Sequence, residues 1–121
     1  MKREILFRAK KWISGEWLEG EVHLKCNNAH IHTNYADQYK IDEDTIGQFT
    51  GMTDNNGTKI FEGDIVKEQC KSHEIIYNVF WDEDYFAFRV KSKDYSYYLD
   101  ELVSSHCEVI GNVFENNELL K

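Results

Sequence analysis

Residues 75–90 read Ile75-Ile76-Tyr77-Asn78-Val79-Phe80-Trp81-Asp82-Glu83-Asp84-Tyr85-Phe86-Ala87-Phe88-Arg89-Val90. Ile75, Tyr77, Val79 and Trp81 alternate with Ile76, Asn78 and Phe80. A two-residue period of this kind sets a strongly apolar face against a mixed one. After Asp82-Glu83-Asp84 the alternation resumes, with Phe86, Phe88 and Val90 set against Tyr85, Ala87 and Arg89. The stretch predicts an antiparallel hairpin with an acidic tip.

The flanking sequence extends the same pattern. Upstream, Gly47, Gly51, Gly57 and Gly63 punctuate short extended runs. Ile46 to Thr50 reads as a strand, Asp54-Asn55-Asn56-Gly57 as a turn, and Thr58 to Phe61 as its continuation. Glu62-Gly63-Asp64 then bends the chain into Ile65-Val66-Lys67. Nearer the N-terminus, Glu4 to Ala9 is strand-like, and Ser14-Gly15-Glu16 is a compact turn between Trp12-Ile13 and Trp17-Leu18. Val22 to Cys26 and His30 to Thr33 predict a further pair around Asn27-Asn28. Downstream, Ser96 to Leu102 fits either a strand end or a helical turn, and Glu108 to Phe114 is a last strand. No segment holds a helical period for the ~12 residues that an independent helix needs. The expectation is an all-β fold: a small, strongly bent, SH3-like barrel with additional N-terminal hairpins and little helix.

Composition bounds the function. The chain has 121 residues, 14 basic and 22 acidic, for a formal charge of −8. That balance works against nonspecific attraction to phosphate backbones. Seventeen of the residues are Phe, Tyr or Trp, too many for a disordered chain. No apolar run approaches a membrane span, and the opening residues carry no signal-peptide pattern. There is no proline, no low-complexity linker and no repeat, so one domain is expected over residues 1–121. Within it, 1–50 supplies N-terminal strands and hairpins and 51–116 the barrel-like part. Three widely spaced cysteines without a CxxC pair point to a reducing compartment, the cytoplasm.

Catalytic patterns do not emerge. There is no G-x-S-x-G, and Gly47 and Gly51 lack the GK[ST] of a phosphate loop. Asp54 to Gly57 fails the spacing of a calcium loop. Cys26, Cys70 and Cys107 read first as small apolar side chains. The alternative is a zinc site built from Cys26, His30 and His32, with His23 as a further donor, although paired zinc-ligand spacing is missing. No cofactor follows from the residues. Tyr95, Tyr97 and Tyr98, close to Arg89, Lys91 and Lys93, have the chemistry to stack single-stranded bases. They equally suit an open barrel edge, where each tyrosine offers an apolar body and a polar tip. Trp12 and Trp17, beside a tight turn, are either core or a docking patch. Sheet edges must be hidden, and pairing with another copy does this, so a homo-oligomer is expected.

Three ordered blocks carry a family resemblance. Residues 44–66, from Asp44-Thr45-Ile46-Gly47-Gln48-Phe49-Thr50-Gly51 through Asp54-Asn55-Asn56-Gly57 to Phe61-Glu62-Gly63-Asp64-Ile65-Val66, resemble the central signature of the YopX-like phage proteins. Arg3 to Lys10 with Gly15 to Gly20 resembles that family's opening, and Glu108-Val109-Ile110-Gly111-Asn112-Val113-Phe114 through Leu120 its C-terminal block. The departures are Glu43 and Asn117, where proline is frequent, and Ala9, where glycine is frequent. The resemblance implies an all-β protein encoded by phages or prophages, with no established activity and no catalytic residue to transfer. Its polar positions, Arg8, Gln48, Thr50, Asp54 and Asp64, fit turn caps and buried pairs as well as they fit a binding site. The functional expectation is a non-enzymatic accessory protein that self-associates and binds a host or phage macromolecule. Single-stranded nucleic acid is the alternative partner.

Overall fold

A computed structural model describes residues 4–25, 28–34, 36–70 and 72–121. The chain divides into two compact units, Met1–Phe49 and Thr50–Lys121.

In the first unit β1 (Phe7–Lys10) pairs antiparallel with β2 (Trp17–Lys25), and β2 pairs with β3 (Asn28–His32). A short β4 (Gln38–Lys40) follows on β3, and the start of β5 (Gly47–Thr53) lies on the other side of β1. The β1–β2 turn closes through bonds from the Lys11 N–H to the Glu16 carbonyl and from the Gly15 N–H to the Lys11 carbonyl. Gly15 sits there at φ 72°, a conformation that costs a side-chain-free residue little. Ala9, Ala29, Ile31 and Ile41 form the core, with Leu18, Val22, Tyr39 and Ile46 packed against it.

The second unit contains the end of β5, then β6 (Lys59–Phe61), β7 (Asp64–Gln69), β8 (Glu74–Asp82), β9 (Ala87–Lys91), β10 (Ser96–Tyr98), helix α1 (Leu99–Ser104) and β11 (Cys107–Asn112). A 3-10 turn, Asn117–Leu120, ends it. Strands β7 to β11 form one antiparallel sheet in the order β10-β9-β8-β7-β11. The expected hairpin is its centre, with Asn78 opposite Lys91, Val79 opposite Val90 and Phe80 opposite Arg89. Tyr77, Val79 and Val90 are buried with Ile60, Val66, Leu99, Leu102 and Cys107.

All-β is therefore the fold class, with one six-residue α-helix among the described residues. The barrel is not closed: β10 and β11 are opposite edges of the sheet. Other departures are local. The returning strand starts at Ala87, because Phe86 takes a left-handed conformation (φ 50°) and extends the turn. Trp81 stands 41% exposed beyond the core, meeting Phe88 edge-on at 5.1 Å between ring centroids. Ser96 to Leu102 is both things that its sequence allowed, three residues of strand and then helix. One extra residue, Ile110, bulges β11 between Val109 and Gly111.

Candidate functional site

Tyr77 and Val79 turn the middle of β8's apolar face into the core, and the mixed face is left beside an open hollow. Ile76, Asn78 and Phe80 point there and border the hollow, of about 890 Å³. Ile75, at the start of β8, and Leu120, from the last 3-10 turn, add to the apolar lining. Lys91, Lys93 and Lys121 bring positive charge to the same hollow, and Glu74 and Asp94 bring negative charge. Glu74 is engaged by Lys67 at 3.6 Å. Tyr95 completes the border from the β9–β10 turn, where its N–H and carbonyl are tied to Ser92. A hollow of this size, with a few charged groups around apolar ones, has the general make-up of a binding site.

The tyrosine–cation cluster expected from the sequence divides. Tyr95, Lys91 and Lys93 do share the hollow. Arg89 does not, because it is a buried structural group: its guanidinium lies 4.3 Å over Tyr85 and 4.6 Å over Tyr98. Its Nε meets Asp82 at 3.3 Å, and a terminal nitrogen donates to the Ser96 hydroxyl at 2.8 Å. A cation held by two rings, a carboxylate and a hydroxyl is not offered to a ligand. Tyr97 pairs with core residue Val90 and meets Tyr77 edge-on, so it belongs to the core side of the edge strand, and one face of the Tyr95 ring is stacked on it at 6.2 Å between centroids. Tyr98 precedes α1, and its N–H donates to the Glu101 carboxylate at 3.2 Å, half of a capping box.

The tip of the same hairpin carries exposed aromatics that alternation alone did not single out. Phe86 is 82% exposed and Tyr85 55%, beside Glu83 and Asp84, also exposed. Left-handed backbone at a bulky residue is uncommon and marks local strain.

In the first unit, Trp12 is exposed with the Lys40 ammonium 4.9 Å from its ring. Trp17 is half-buried, with Arg8 at 4.8 Å and Lys10 at 5.4 Å. The two tryptophans are thus dressed by cations. His30 and His32 lie on one face of β3, as their spacing requires, and His23 stands opposite His30. The His23 and His32 rings are 4.2 Å apart, and His23 Nε2 lies 3.4 Å from Glu21. Cys26 lies outside the described residues. Among those described, no three His, Cys, Asp or Glu side chains converge on a metal position.

Three of the polar signature residues, Thr50, Asp54 and Asp64, bond to backbone groups. One Asp54 oxygen accepts from the N–H groups of Asn56 and Thr58, both at 2.9 Å, and the other from Val109 N–H at 2.8 Å. Asp64, fully buried, accepts from Phe61 N–H at 2.7 Å, and Thr50 donates to the Ile60 carbonyl at 2.7 Å. Gln48 lies on β5 opposite Phe7. Sequence reasoning passed over Glu68, a half-buried carboxylate that accepts from the hydroxyls of Tyr77 (2.9 Å) and Ser105 (3.0 Å). Burial, with Glu68 adding to it, pushes the Tyr77 hydroxyl well above its usual range. Burial likewise raises the Cys107 thiol to about 11, helped by the charges of Asp54 and Glu68.

The family described as YopX protein matches residues 6–121. The chain belongs to that family. No curated protein matches it. Among solved structures, protein EF1440 from Enterococcus faecalis is similar to this YopX-family chain, with 21% identity, a TM-score of 0.61, and coverage of 99% of this chain and 100% of that one. A likeness at that identity speaks for the shared fold.

Proposed function

We propose that this YopX-family protein is a phage- or prophage-encoded accessory protein of the bacterial cytoplasm that works by binding and not by catalysis. It associates with itself and docks a further macromolecule. The observation that carries this reading is the hollow beside the mixed face of β8, where half-buried Ile76, Phe80 and Leu120 line an open space beside three lysines. A sheet that spends large apolar residues on both faces needs a cover for the second one. The open sheet edges at β10 and β11 add to the case. Light scattering behind size-exclusion chromatography, over a range of protein concentrations, tests the self-association. A stable oligomer supports it, and a monomer at every concentration overturns it.

A second reading is favoured by one observation: Tyr95, Lys91 and Lys93 border the same hollow. An aromatic face beside two cations suits a single-stranded nucleic acid. Fluorescence anisotropy with labelled oligonucleotides is expected to rise at low salt and to lose that rise in Tyr95→Ala. No rise at low salt ends this reading.

A further inference from the structure

The second unit carries two features of opposite character on one hairpin. The tip presents Tyr85 and Phe86 with the free acids Glu83 and Asp84, while Asp82 is already engaged by Arg89. The hollow at the other end of β8 and β9 presents apolar Ile76, Phe80 and Leu120 with three lysines, Lys91, Lys93 and Lys121, against Asp94 and a Glu74 that Lys67 already engages. The two are complementary: exposed rings against half-buried apolar surface, and two free carboxylates against a hollow in which lysines outnumber the acids.

Both features lie on the same face of the sheet. Phe80 pairs with Arg89 and Asn78 with Lys91, so these four residues share one face by register. Tyr85 is held on that face by its stacking over Arg89, which aims the tip toward it. The hollow, near 890 Å³, lies in the range that takes a ligand larger than one aromatic ring. Phe86 is held outward at φ 50° and is 82% exposed, the most exposed aromatic ring among the described residues. Strained backbone clusters at functional sites, ligand clamps among them.

We propose that two copies of this chain join face to face, each seating its residue 83–86 tip in the hollow of the other. A two-fold axis between tip and hollow brings both pairs together at once, so the contact closes on itself as a dimer. Glu83 and Asp84 of one copy meet Lys91 and Lys93 of the other, and Phe86 covers Ile76 and Phe80. The proposal rests on the self-association reading above and adds the surface, the stoichiometry and the pairing of charges.

The test is a charge exchange read by light scattering and sedimentation. All four charged residues are exposed, so Lys91→Glu/Lys93→Glu and Glu83→Lys/Asp84→Lys are expected to fold, as circular dichroism will check. Wild type is expected to be a dimer whose dissociation constant rises with salt. Each double variant alone is expected to dissociate at least tenfold more readily, because its tip and hollow then carry the same sign. Mixed one to one, the two variants restore both attractions, and a heterodimer of near wild-type affinity is expected. Phe86→Ala, which changes no charge, is expected to weaken wild-type association by at least tenfold.

An oligomer that ignores all these changes overturns this surface while leaving self-association standing. A wild-type monomer throughout overturns both readings. Open-ended growth with concentration overturns the reciprocal dimer. A shift on oligonucleotides that Lys91→Glu/Lys93→Glu abolishes, in a wild type that stays monomeric, hands the hollow to nucleic acid instead.

Discussion

The two units reach the same antiparallel plan by different means. The second surrounds Tyr77, Val79 and Val90 with Ile60, Val66, Leu99, Leu102 and Cys107, and ties its loops down with buried carboxylates. The first buries Ala9, Ala29, Ile31 and Ile41, of which two are alanines, and lays cations over three separate rings, Trp12, Trp17 and Tyr39, where the second encloses one buried arginine between two. Small core residues contribute little apolar area, so the first unit depends more on how closely its backbones approach. The second has side-chain volume and polar ties in reserve. Substitutions that attack area, ties or approach should therefore act differently in the two.

The largest expected effect lies in the second unit. Asp54→Ala deprives the N–H groups of Asn56, Thr58 and Val109 of their acceptor at a site only 7% exposed. Unsatisfied buried donors cost enough that the sum is about 4 kcal/mol. Urea unfolding should show it, with amide exchange accelerating in the 54–58 turn and β11. A loss below about 1 kcal/mol would mean that carboxylate ties are dispensable there, and the contrast with the first unit would fail.

The first unit is attacked best through approach. At Gly20 an added Cβ would come within 2.2 Å of the His32 carbonyl oxygen, a backbone atom that cannot swing away. Gly20→Ala should cost about 3 kcal/mol, at the upper end of overpacking penalties. Its signature is lost exchange protection in β2 and β3. If thermal melting is unchanged, close backbone contact is not what holds that hairpin.

A smaller effect sharpens the comparison through pH. The Cys107 thiol, ordinarily near 9, is raised to about 11 by burial and by neighbouring Asp54 and Glu68. The unfolded chain therefore releases this proton first as pH rises. Stability is complete below pH 9 and declines as pH climbs through 11, by about 2 kcal/mol at that point. Tyr77, raised in the same direction, extends the decline further. In Cys107→Val the slope between pH 9 and 11 should flatten, whereas an unchanged slope would place the alkaline sensitivity elsewhere.

The second unit was also the more legible. Alternation over residues 75–90 announces the central hairpin because strand period and burial coincide there, at Tyr77, Val79 and Val90. Asp54-Asn55-Asn56-Gly57 announces its turn through side-chain chemistry that acts within four residues. What stayed hidden depends on distant partners. Closure of the sheet would need β10 to meet β11, and nothing local in either strand says whether it does. Arg89 looked like a free cation because sequence proximity to tyrosines does not reveal that two of them enclose it. The hollow was half visible: Ile76 and Phe80 on a face read as mixed were the signal, but Leu120 joins them from the far end of the chain. The Phe86 strain was invisible, since regular alternation assigned that residue to the strand.

The smallest effect concerns the rings of the first unit. Lys40 lies over Trp12 at 4.9 Å, and the Trp12 N–H donates to the Lys40 carbonyl at 2.9 Å, so the pair is joined by backbone as well as by side chain. Lys40→Gln removes only the cation, and an exposed cation–π contact contributes about 0.5 kcal/mol. Unfolding should shift by that much, and tryptophan fluorescence should change as the ammonium leaves Trp12. A loss of 2 kcal/mol or more, the size expected of a desolvated contact, would show that cations over rings do in this unit what buried volume does in the other. A loss near the expected half would leave Ile31 and the close backbone approach at Gly20 as the main supports of the first sheet.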